Sequence, residues 1–392
     1  MKAPIYLDNN ATTQIDPRVS EVMLRAMRLP SNPSSQHQLG QSARNRLDES
    51  IDLIGDCLGS PMNRPGGARL IMTSGGTESN NLALRGIGPP DGPLVVSQIE
   101  HPSVLATAQQ MQREGRTVRF LPAGPDGVVD VSKLAELISP TDAAVPAATL
   151  VSIMAANNET GVIQPIAEAA GICRQFGVPL HVDATQLIGK LPVDLAQWGA
   201  SAVTFTAHKF HGPAGVGALW LAAGVVLRPQ LFGGEQQLDS RPGTEPVALV
   251  AGMAEALRIA ITDQADTIES TRRLRDQLEQ TLIQRHPEIV IHGNSADRIP
   301  TTTCLSFVGL DRQSMLMALD MAAIACSSGS ACSSGSSPPS HVLIAMGAPE
   351  NWVASALRFG VSKFSTTTEI SEAIDRISIC INNLASFETV EK

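Results

Sequence analysis

Short apolar runs alternate with helical patterns through the first two thirds of this 392-residue chain, and this alternation is its strongest constraint on the fold. The runs are Leu70–Thr73, Leu94–Ser97, Val118–Leu121, Thr149–Met154, Pro179–Val182, Val203–Phe205 and Gly217–Leu221. Most are separated by enough residues for a helix, which is typical of parallel strands joined by helical crossovers. We therefore predict an α/β fold with a mostly parallel, seven-stranded sheet covered by helices.

The pattern changes at about Val247, where a long charged and apolar helical stretch, Val247–Arg285, begins. Strand-like runs follow at Ile289–Ile291 and Thr303–Phe307, and further helices lie near the end of the chain. We predict a large domain of residues 14–256 and a smaller α+β domain of residues 1–13 and 257–392. The strand-like Ile5–Leu7 is a candidate to pack on the smaller domain.

Composition limits the classes of function. The net charge of −9 argues against nucleic acid or an anionic membrane as the main partner. No apolar run approaches the roughly 20 residues of a membrane span, and Met1–Thr13 lacks the pattern of a signal peptide. The six cysteines show neither a disulfide framework nor a C-x-x-C or Cys/His cluster. We expect a cytoplasmic protein without a metal site.

The stretch Ser201–Leu221 presents a lysine at the end of a strand. Lys209 follows the run Val203–Phe205 and precedes a loop rich in glycine, in a chain where lysine is scarce. Burial there would lower the pKa of the amine and leave a nucleophile able to form a Schiff base. A solvated lysine beside a turn is an equal alternative from this stretch alone.

A carboxylate occupies a comparable position at Asp183, directly after Pro179–Val182. Open α/β sheets place their ligand crevice at the carboxyl ends of the strands. Pyridoxal phosphate requires a lysine for its aldehyde and a carboxylate that keeps its ring nitrogen protonated. Asp183 alone favours a helix N-cap, but its pairing with Lys209 favours the cofactor.

Three further strands are followed by loops whose residues could take part in binding or catalysis. The small residues Ser74–Ser79, which include Gly76 and Thr77, open a helix and could bind an anionic phosphate, although a plain N-cap turn fits them equally. His101 follows Leu94–Ser97, where it could cap a helix or stack on a ring and exchange protons. Asn158 could bond a ring hydroxyl or belong to an Asx-turn.

A loop rich in serine and glycine spans residues 326–340 and contains Cys326 and Cys332. Its composition is that of a flexible linker. A cysteine on a mobile, exposed arm is also suited to meeting a substrate sulfur and leaving with it. Position alone does not decide between the two cysteines.

With these segments identified, the chain resembles the pyridoxal-phosphate cysteine desulfurases of the NifS/IscS type, within the class V aminotransferases of fold type I. The matching motifs are YLDNNATT (Tyr6–Thr13), NPSSQHQLG (Asn32–Gly40), TSGGTESNNLA (Thr73–Ala83), EHPSVL (Glu100–Leu105), NNETG (Asn157–Gly161), HVDATQ (His181–Gln186), TAHKFHGPAGVG (Thr206–Gly217), RPGT (Arg241–Thr244), SSGSACSSGS (Ser327–Ser336) and LRFG (Leu357–Gly360). Each motif is short, but their order and spacing together are specific.

The resemblance implies a role for each matching residue. Lys209 would form the covalent link to the cofactor and Asp183 would hold its ring nitrogen, while His101 would stack on the ring as an acid and base. Gln186 and Asn158 would contact the phenolic oxygen and the substrate. The phosphate contacts would come from Gly76, Thr77, Thr206 and His208, and from Thr244 of the neighbouring protomer. Arg358 would clamp the substrate carboxylate and Cys332 would form a persulfide; Cys326 falls outside the match.

The implied function is conversion of L-cysteine to L-alanine, with the sulfur transferred to Cys332 and then to an acceptor such as an iron–sulfur scaffold, in a homodimer. A selenocysteine lyase, or another class V lyase or aminotransferase, is the alternative within the same fold. An inactive scaffold of a sulfur-transfer complex is the alternative from another class, and the intact Lys209, Asp183, His101, Arg358 and Cys332 argue against it. The sequence does not identify the sulfur acceptor or the preference between cysteine and selenocysteine.

Overall fold

The computed structural model describes residues 3–30, 32–140, 146–329 and 338–390, with side chains up to residue 386. The helices are α1 Pro17–Met27, α2 Gln38–Cys57, α3 Gly76–Gly86, α4 Pro102–Arg113, α5 Leu134–Ile138, α6 Ile166–Gln175, α7 Leu195–Trp198, α8 Val247–Thr262, α9 Gln264–Arg285, α10 Arg312–Met321, α11 His341–Ala345, α12 Glu350–Val353 and α13 Thr367–Val390. The strands are β1 Ile5–Tyr6, β2 Arg69–Thr73, β3 Leu94–Ser97, β4 Val118–Leu121, β5 Leu150–Met154, β6 Leu180–Asp183, β7 Ala202–Thr206, β8 Gly217–Leu221, β9 Ile289–Ile291, β10 Thr302–Phe307, β11 Ile324–Ala325 and β12 Ala356–Gly360.

The central sheet has seven strands in the order β2-β8-β7-β6-β5-β3-β4, which confirms the predicted fold class. Each predicted run is a strand, with bounds that agree or differ by one residue at one or both ends. β8 runs antiparallel to both of its neighbours, β2 and β7, and the remaining pairs in this sheet are parallel. The connection from β7 to β8 contains no α-helix, and a short connection of this kind joins antiparallel strands.

Helices cover both faces of this sheet, so its strands are buried on both sides. All five residues of β5 are buried, as are all of β7 and β8. One hydrophobic cluster contains Val151 and Val203, and a separate one contains Val96 and Leu219. Continuous apolar strands are the form that two-sided burial requires, and each buried Val, Ile or Leu side chain contributes about 1.5–3 kcal/mol.

A second, antiparallel sheet has the order β12-β10-β9, and β1 pairs in parallel with β11 through Ile5 and Ile324. Its core includes Leu278, Leu305 and Phe359, and Ile5 belongs to the same cluster. The N-terminal strand therefore packs on the C-terminal part of the chain. The division into residues 14–256 and the remainder stays a prediction.

The helical stretch predicted as Val247–Arg285 is interrupted, which corrects the expectation of one long helix. Asp263 lies between α8 and α9 outside helical geometry. The two helices serve different cores, because Leu257 of α8 packs with the central sheet and Leu278 of α9 packs with the second sheet. Across the described ranges, no helix is both long enough and apolar enough to cross a membrane.

Candidate active site

The carboxyl ends of the parallel strands meet at one edge of the central sheet, and a cavity of about 210 Å³ opens there. Loops after β2, β3, β5, β6 and β7 each contribute side chains to it. Its wall is formed by Gly76, Thr77, Asn80, His101, Ser103, Met154, Ala156, Asn158, Asp183, Thr185, Gln186, Thr206, His208 and Lys209. Sequence positions more than 100 residues apart are thus brought to one site.

Asp183, the last residue of β6, points a buried and firmly oriented carboxylate into the cavity wall. Its Oδ2 accepts a hydrogen bond from Nδ2 of Asn80 at 2.7 Å, and its Oδ1 accepts from the backbone N–H of Thr185 at 3.0 Å. The side chain is 4% exposed. Because both oxygens are held, the carboxylate has one orientation toward any cationic group in the cavity.

A chain of polar groups connects this carboxylate to His101. Asn80 also donates to Oγ of Ser103 at 2.8 Å, and Oγ of Ser103 lies 2.8 Å from Nδ1 of His101. The backbone N–H of Ser103 donates to the same Nδ1 at 3.1 Å. The neutral ring therefore carries its proton on Nε2.

The charge of His101 responds to the same surroundings. Burial lowers the pKa of His101, while the charge of Asp183 opposes the shift. His101 also caps α4, which is one of the two roles that the sequence left open, and the same residue lies in the cavity wall.

Lys209 lies in a short 3₁₀ turn, Ala207–Lys209, directly after β7. Its Nζ donates to the backbone oxygens of Asn10 at 2.6 Å and Ala11 at 2.7 Å. Burial, and next the charge of Arg358, lower the pKa of Lys209 to about 8. The amine of Lys209 therefore loses its proton, and becomes nucleophilic, at a much lower pH than the amine of a free lysine does.

The part of the cavity wall at the start of α3 is suited to an anion. Gly76 and Thr77 begin the eleven-residue helix α3, whose first N–H groups have no partner within the helix. Close packing brings this helix start to the sheet: a Cβ at Gly217 would lie 2.5 Å from the carbonyl carbon of Gly75. Only glycine permits that approach.

Thr206 and His208 lie beside this helix start in the cavity wall. The hydroxyl of Thr206 donates to the backbone oxygen of Val216 at 2.8 Å. Burial, followed by the charges of Lys209 and Lys190, lowers the pKa of His208 to about 4, so its ring is neutral near pH 7.

Arg358 belongs to β12 and lies beside the site, outside the wall of the cavity. Its Nη1 donates to the backbone oxygen of Asn158 at 3.0 Å and its Nη2 donates to Oδ1 of Asp8 at 2.8 Å. The Nε atom is buried and has no partner among the described residues. The guanidinium is thus oriented and keeps donor capacity.

Not every residue predicted from the sequence lies at the cavity. Thr244 is exposed and lies outside its wall. Cys332 lies outside the described residues. Cys326 is half-buried beside β11, where burial raises the pKa of its thiol.

Several wall residues were missed by the sequence analysis: Asn80, Ser103, Met154, Ala156 and Thr185. Asn80 lies four residues after Gly76, about one helical turn along α3, and this spacing alone was a usable signal that it lies on the same face of the helix. Asn10 was also missed. Its Nδ2 donates to Oγ1 of Thr302 at 2.7 Å, and its backbone oxygen receives Lys209.

The cavity wall contains buried polar atoms that lack hydrogen-bond partners, which indicates a polar ligand. Oδ1 of Asn80, Oδ1 of Asn158 and Oγ1 of Thr185 are buried without a hydrogen-bond partner among the described residues. Buried polar atoms are nearly always paired, so these three mark places for ligand atoms. The described residues contain no group of three or more His, Cys, Asp or Glu side chains that could hold a metal ion.

Comparison with known proteins identifies relatives over almost the whole length. The family model described as Aminotransferase class-V matches residues 5–373. The chain is 39% identical over 379 residues to the "IscS-like cysteine desulfurase" of Mycobacterium tuberculosis, covering 94% of each chain. It is 36% identical over 379 residues to the "Cysteine desulfurase" of Nostoc sp., covering 95% of this chain and 91% of the relative.

Solved structures agree with these sequence relatives. A NifS-like protein from Rickettsia africae superposes with a TM-score of 0.87 at 31% identity, over 97% of this chain and 99% of the other. DndA from Streptomyces lividans superposes with a TM-score of 0.75 at 34% identity, over 91% and 99% of the two chains.

Proposed function

This chain belongs to the class V aminotransferase family, and we propose that it is a pyridoxal-phosphate-dependent cysteine desulfurase. The reaction converts L-cysteine to L-alanine and transfers the sulfur atom. The observation that carries the proposal is the shared cavity of about 210 Å³, whose wall contains both an oriented carboxylate, Asp183, and a buried lysine of lowered pKa, Lys209. Relatives at 36–39% identity that are named cysteine desulfurases support the same activity.

The residues of the cavity fit pyridoxal phosphate. Lys209 would bind its aldehyde carbon, Asp183 its ring nitrogen, and the start of α3 with Thr206 and His208 its phosphate. The unpaired atoms of Asn80, Asn158 and Thr185 offer further partners. When bound, the cofactor supplies an electron sink that stabilises negative charge at the substrate Cα.

Different side chains of the protein would bind the cofactor ring and transfer protons. Asp183, held by Asn80 and Thr185, keeps the ring nitrogen protonated through its fixed negative charge. The neutral amine of Lys209, whose pKa is lowered, would take the Cα proton of the substrate. His101 carries its proton on Nε2 and can donate it to a nearby acceptor.

Arg358 and Asn158 are the proposed contacts for the substrate carboxylate. The guanidinium is oriented by Asp8 and by the backbone oxygen of Asn158, and its buried Nε has no hydrogen-bond partner among the described residues. A planar guanidinium can bind a carboxylate through two parallel hydrogen bonds, which orients the substrate as well as binding it.

Cys332 is the proposed sulfur acceptor. Its thiolate would attack the substrate sulfur, and the bond between that sulfur and the substrate β-carbon would break with its electron pair moving to the β-carbon, which takes a proton to become the methyl group of alanine. The sulfur would remain on Cys332 as a persulfide. Cys326 is unsuited to this step, because a half-buried thiol with a raised pKa is a poor nucleophile.

The remaining parts of the proposal concern partners and location. We propose a homodimer in which the exposed Thr244 completes the phosphate site of the neighbouring protomer. The persulfide would pass to an acceptor protein, such as an iron–sulfur scaffold. A cytoplasmic location suits the scattered cysteines.

Two experiments test the activity and its site. Lys209→Ala should abolish the borohydride-stable attachment of cofactor to the protein, and attachment to another lysine would contradict the assignment. After brief treatment with L-cysteine, mass analysis should find one added sulfur on Cys332.

Cys326 provides the matched control for the second experiment. Cys332→Ala should bind the cofactor but release no sulfide, whereas Cys326→Ala should remain substantially active. Added sulfur on Cys326, with none on Cys332, would reverse the assignment.

A further inference from the structure

Lys190 is a second buried lysine at the active site, and the proposed reaction leaves it without a role. It is 9% exposed, and its Nζ donates to Oε1 of Gln186 at 2.6 Å. Among the described residues it has no carboxylate within salt-bridge distance. A buried cation without an anionic partner is costly, which calls for an explanation.

The hydrogen bonds of Gln186 explain what Lys190 does there. Oε1 of Gln186 accepts from Lys190 and also from Nδ2 of Asn10 at 3.4 Å. Nε2 of Gln186 donates one hydrogen to the backbone oxygen of Asn10 at 3.1 Å. An amide nitrogen has two hydrogens, so one N–H remains for the cavity that Gln186 lines.

Lys190 also helps to fix the orientation of this amide. An ammonium group donates hydrogen bonds and accepts none, so it selects the oxygen of Gln186 as its neighbour. The backbone oxygen of Asn10 favours the same orientation, because it can only accept a hydrogen bond and therefore needs Nε2 as its neighbour. Lys190, which lies outside the cavity wall, thus reinforces an orientation in which Gln186 offers a donor to the cavity.

The electrostatic surroundings of Lys190 are mostly positive. Burial, followed by the charges of Lys209 and Arg358, lowers the pKa of Lys190 to about 7. The charged or titratable groups around it are Lys209, Arg358, His208, His211, Lys363 and Asp263. Asp263 forms an ion pair with Arg18 at 3.1 Å, and Lys363 forms one with Asp16 at 2.6 Å. An anionic ligand atom beside Gln186 would therefore supply the negative charge that Lys190 lacks.

We propose that Lys190 is a positioning residue of the cofactor site: it holds Gln186 with an N–H toward the phenolic oxygen of the cofactor ring and places a positive charge one amide away. This inference rests on the proposed function. The ring oxygen is anionic, so the N–H and the charge both stabilise it. Both also disfavour a proton on the adjacent nitrogen that joins the cofactor to Lys209.

The test is a pH titration of the visible absorption of the cofactor-loaded protein, which reports protonation of that nitrogen. Lys190→Met keeps the length of the side chain but removes the donor and the charge. We expect the midpoint to rise by about one pH unit. Lys190→Arg should restore most of the wild-type midpoint, and Lys133→Met, a change at an exposed lysine, should leave it unchanged.

A double-mutant cycle separates positioning from general damage to the fold. If Lys190 acts through Gln186, then Lys190→Met should shift the midpoint less in a Gln186→Leu background than in the wild type, because only the effect of its charge remains there. Equal shifts in both backgrounds would overturn the proposal, as would a Lys190→Met midpoint equal to that of the wild type.

A measurement on the unaltered protein decides the matter if Lys190→Met does not fold or load. In protein carrying ¹³C-labelled lysine, the Cε signal of Lys190 should titrate at least about one pH unit higher with the cofactor than without it. Lys190→Arg assigns the signal by removing it. An unchanged midpoint would overturn the proposal, whereas failure of Lys209 to bind the cofactor at all would overturn the proposed function instead.

Discussion

The lowered pKa of Lys209 can be measured directly, without turnover and without the cofactor. The pKa is about 8, compared with about 10.5 for a free lysine side chain. This difference of about 2.5 units corresponds to about 300 times more neutral amine near pH 7. Because only the neutral amine is nucleophilic, Lys209 should react with amine reagents in this same proportion, apart from steric protection.

The assay is competitive labelling of cofactor-free protein with a limiting amount of acetic anhydride over a series of pH values. Mass spectrometry of the peptides compares Lys209 with the exposed Lys133 in the same sample. The labelling of Lys209 should reach half of its maximum near pH 8. A midpoint at or above about pH 10 would refute the argument that burial and charge activate this lysine.

The causes of the shift can be separated by a second variant. The guanidinium of Arg358 is the largest contributor after burial. Arg358→Gln should therefore move the labelling midpoint of Lys209 upward while leaving it below that of a free lysine, because burial remains. If Arg358→Gln leaves the midpoint unchanged, burial alone accounts for the shift.

Three further variants test other parts of the site. Asp183→Asn should retain cofactor but lose about 100-fold or more in kcat, since a neutral amide cannot hold the ring nitrogen protonated; near-normal turnover would place the essential carboxylate elsewhere. Arg358→Lys should raise KM for L-cysteine about tenfold or more, because lysine lacks the planar fork; an unchanged KM would contradict the carboxylate clamp. Burial raises the pKa of Glu100 to about 8, so the folded protein keeps this proton between about pH 4.5 and 8 while the unfolded chain loses it. Urea unfolding should therefore show Glu100→Gln gaining up to about 1.4 kcal/mol per pH unit over the wild type in that interval, and parallel pH profiles would contradict this.

The sequence was sufficient for the architecture of the central sheet and for most of the cavity wall. The apolar runs could be located because strand periodicity is a local property, as the agreement at Leu94–Ser97 and Gly217–Leu221 shows. Parallel strands bring their carboxyl ends to one edge whatever the details of packing. Asp183, His101 and Lys209 could therefore be assigned to a common site, and the structure places all three in one cavity.

The tertiary structure decided how these groups are oriented and charged. Asn80 holds Asp183 across 103 positions of sequence, and Asn10 receives Lys209 across 199. The break at Asp263 likewise follows from two helices packing on different cores, although the sequence is helical on either side. Such contacts depend on distances between elements that local patterns do not encode. Burial, which lowers the pKa of both Lys190 and Lys209, exists only once those elements have packed together.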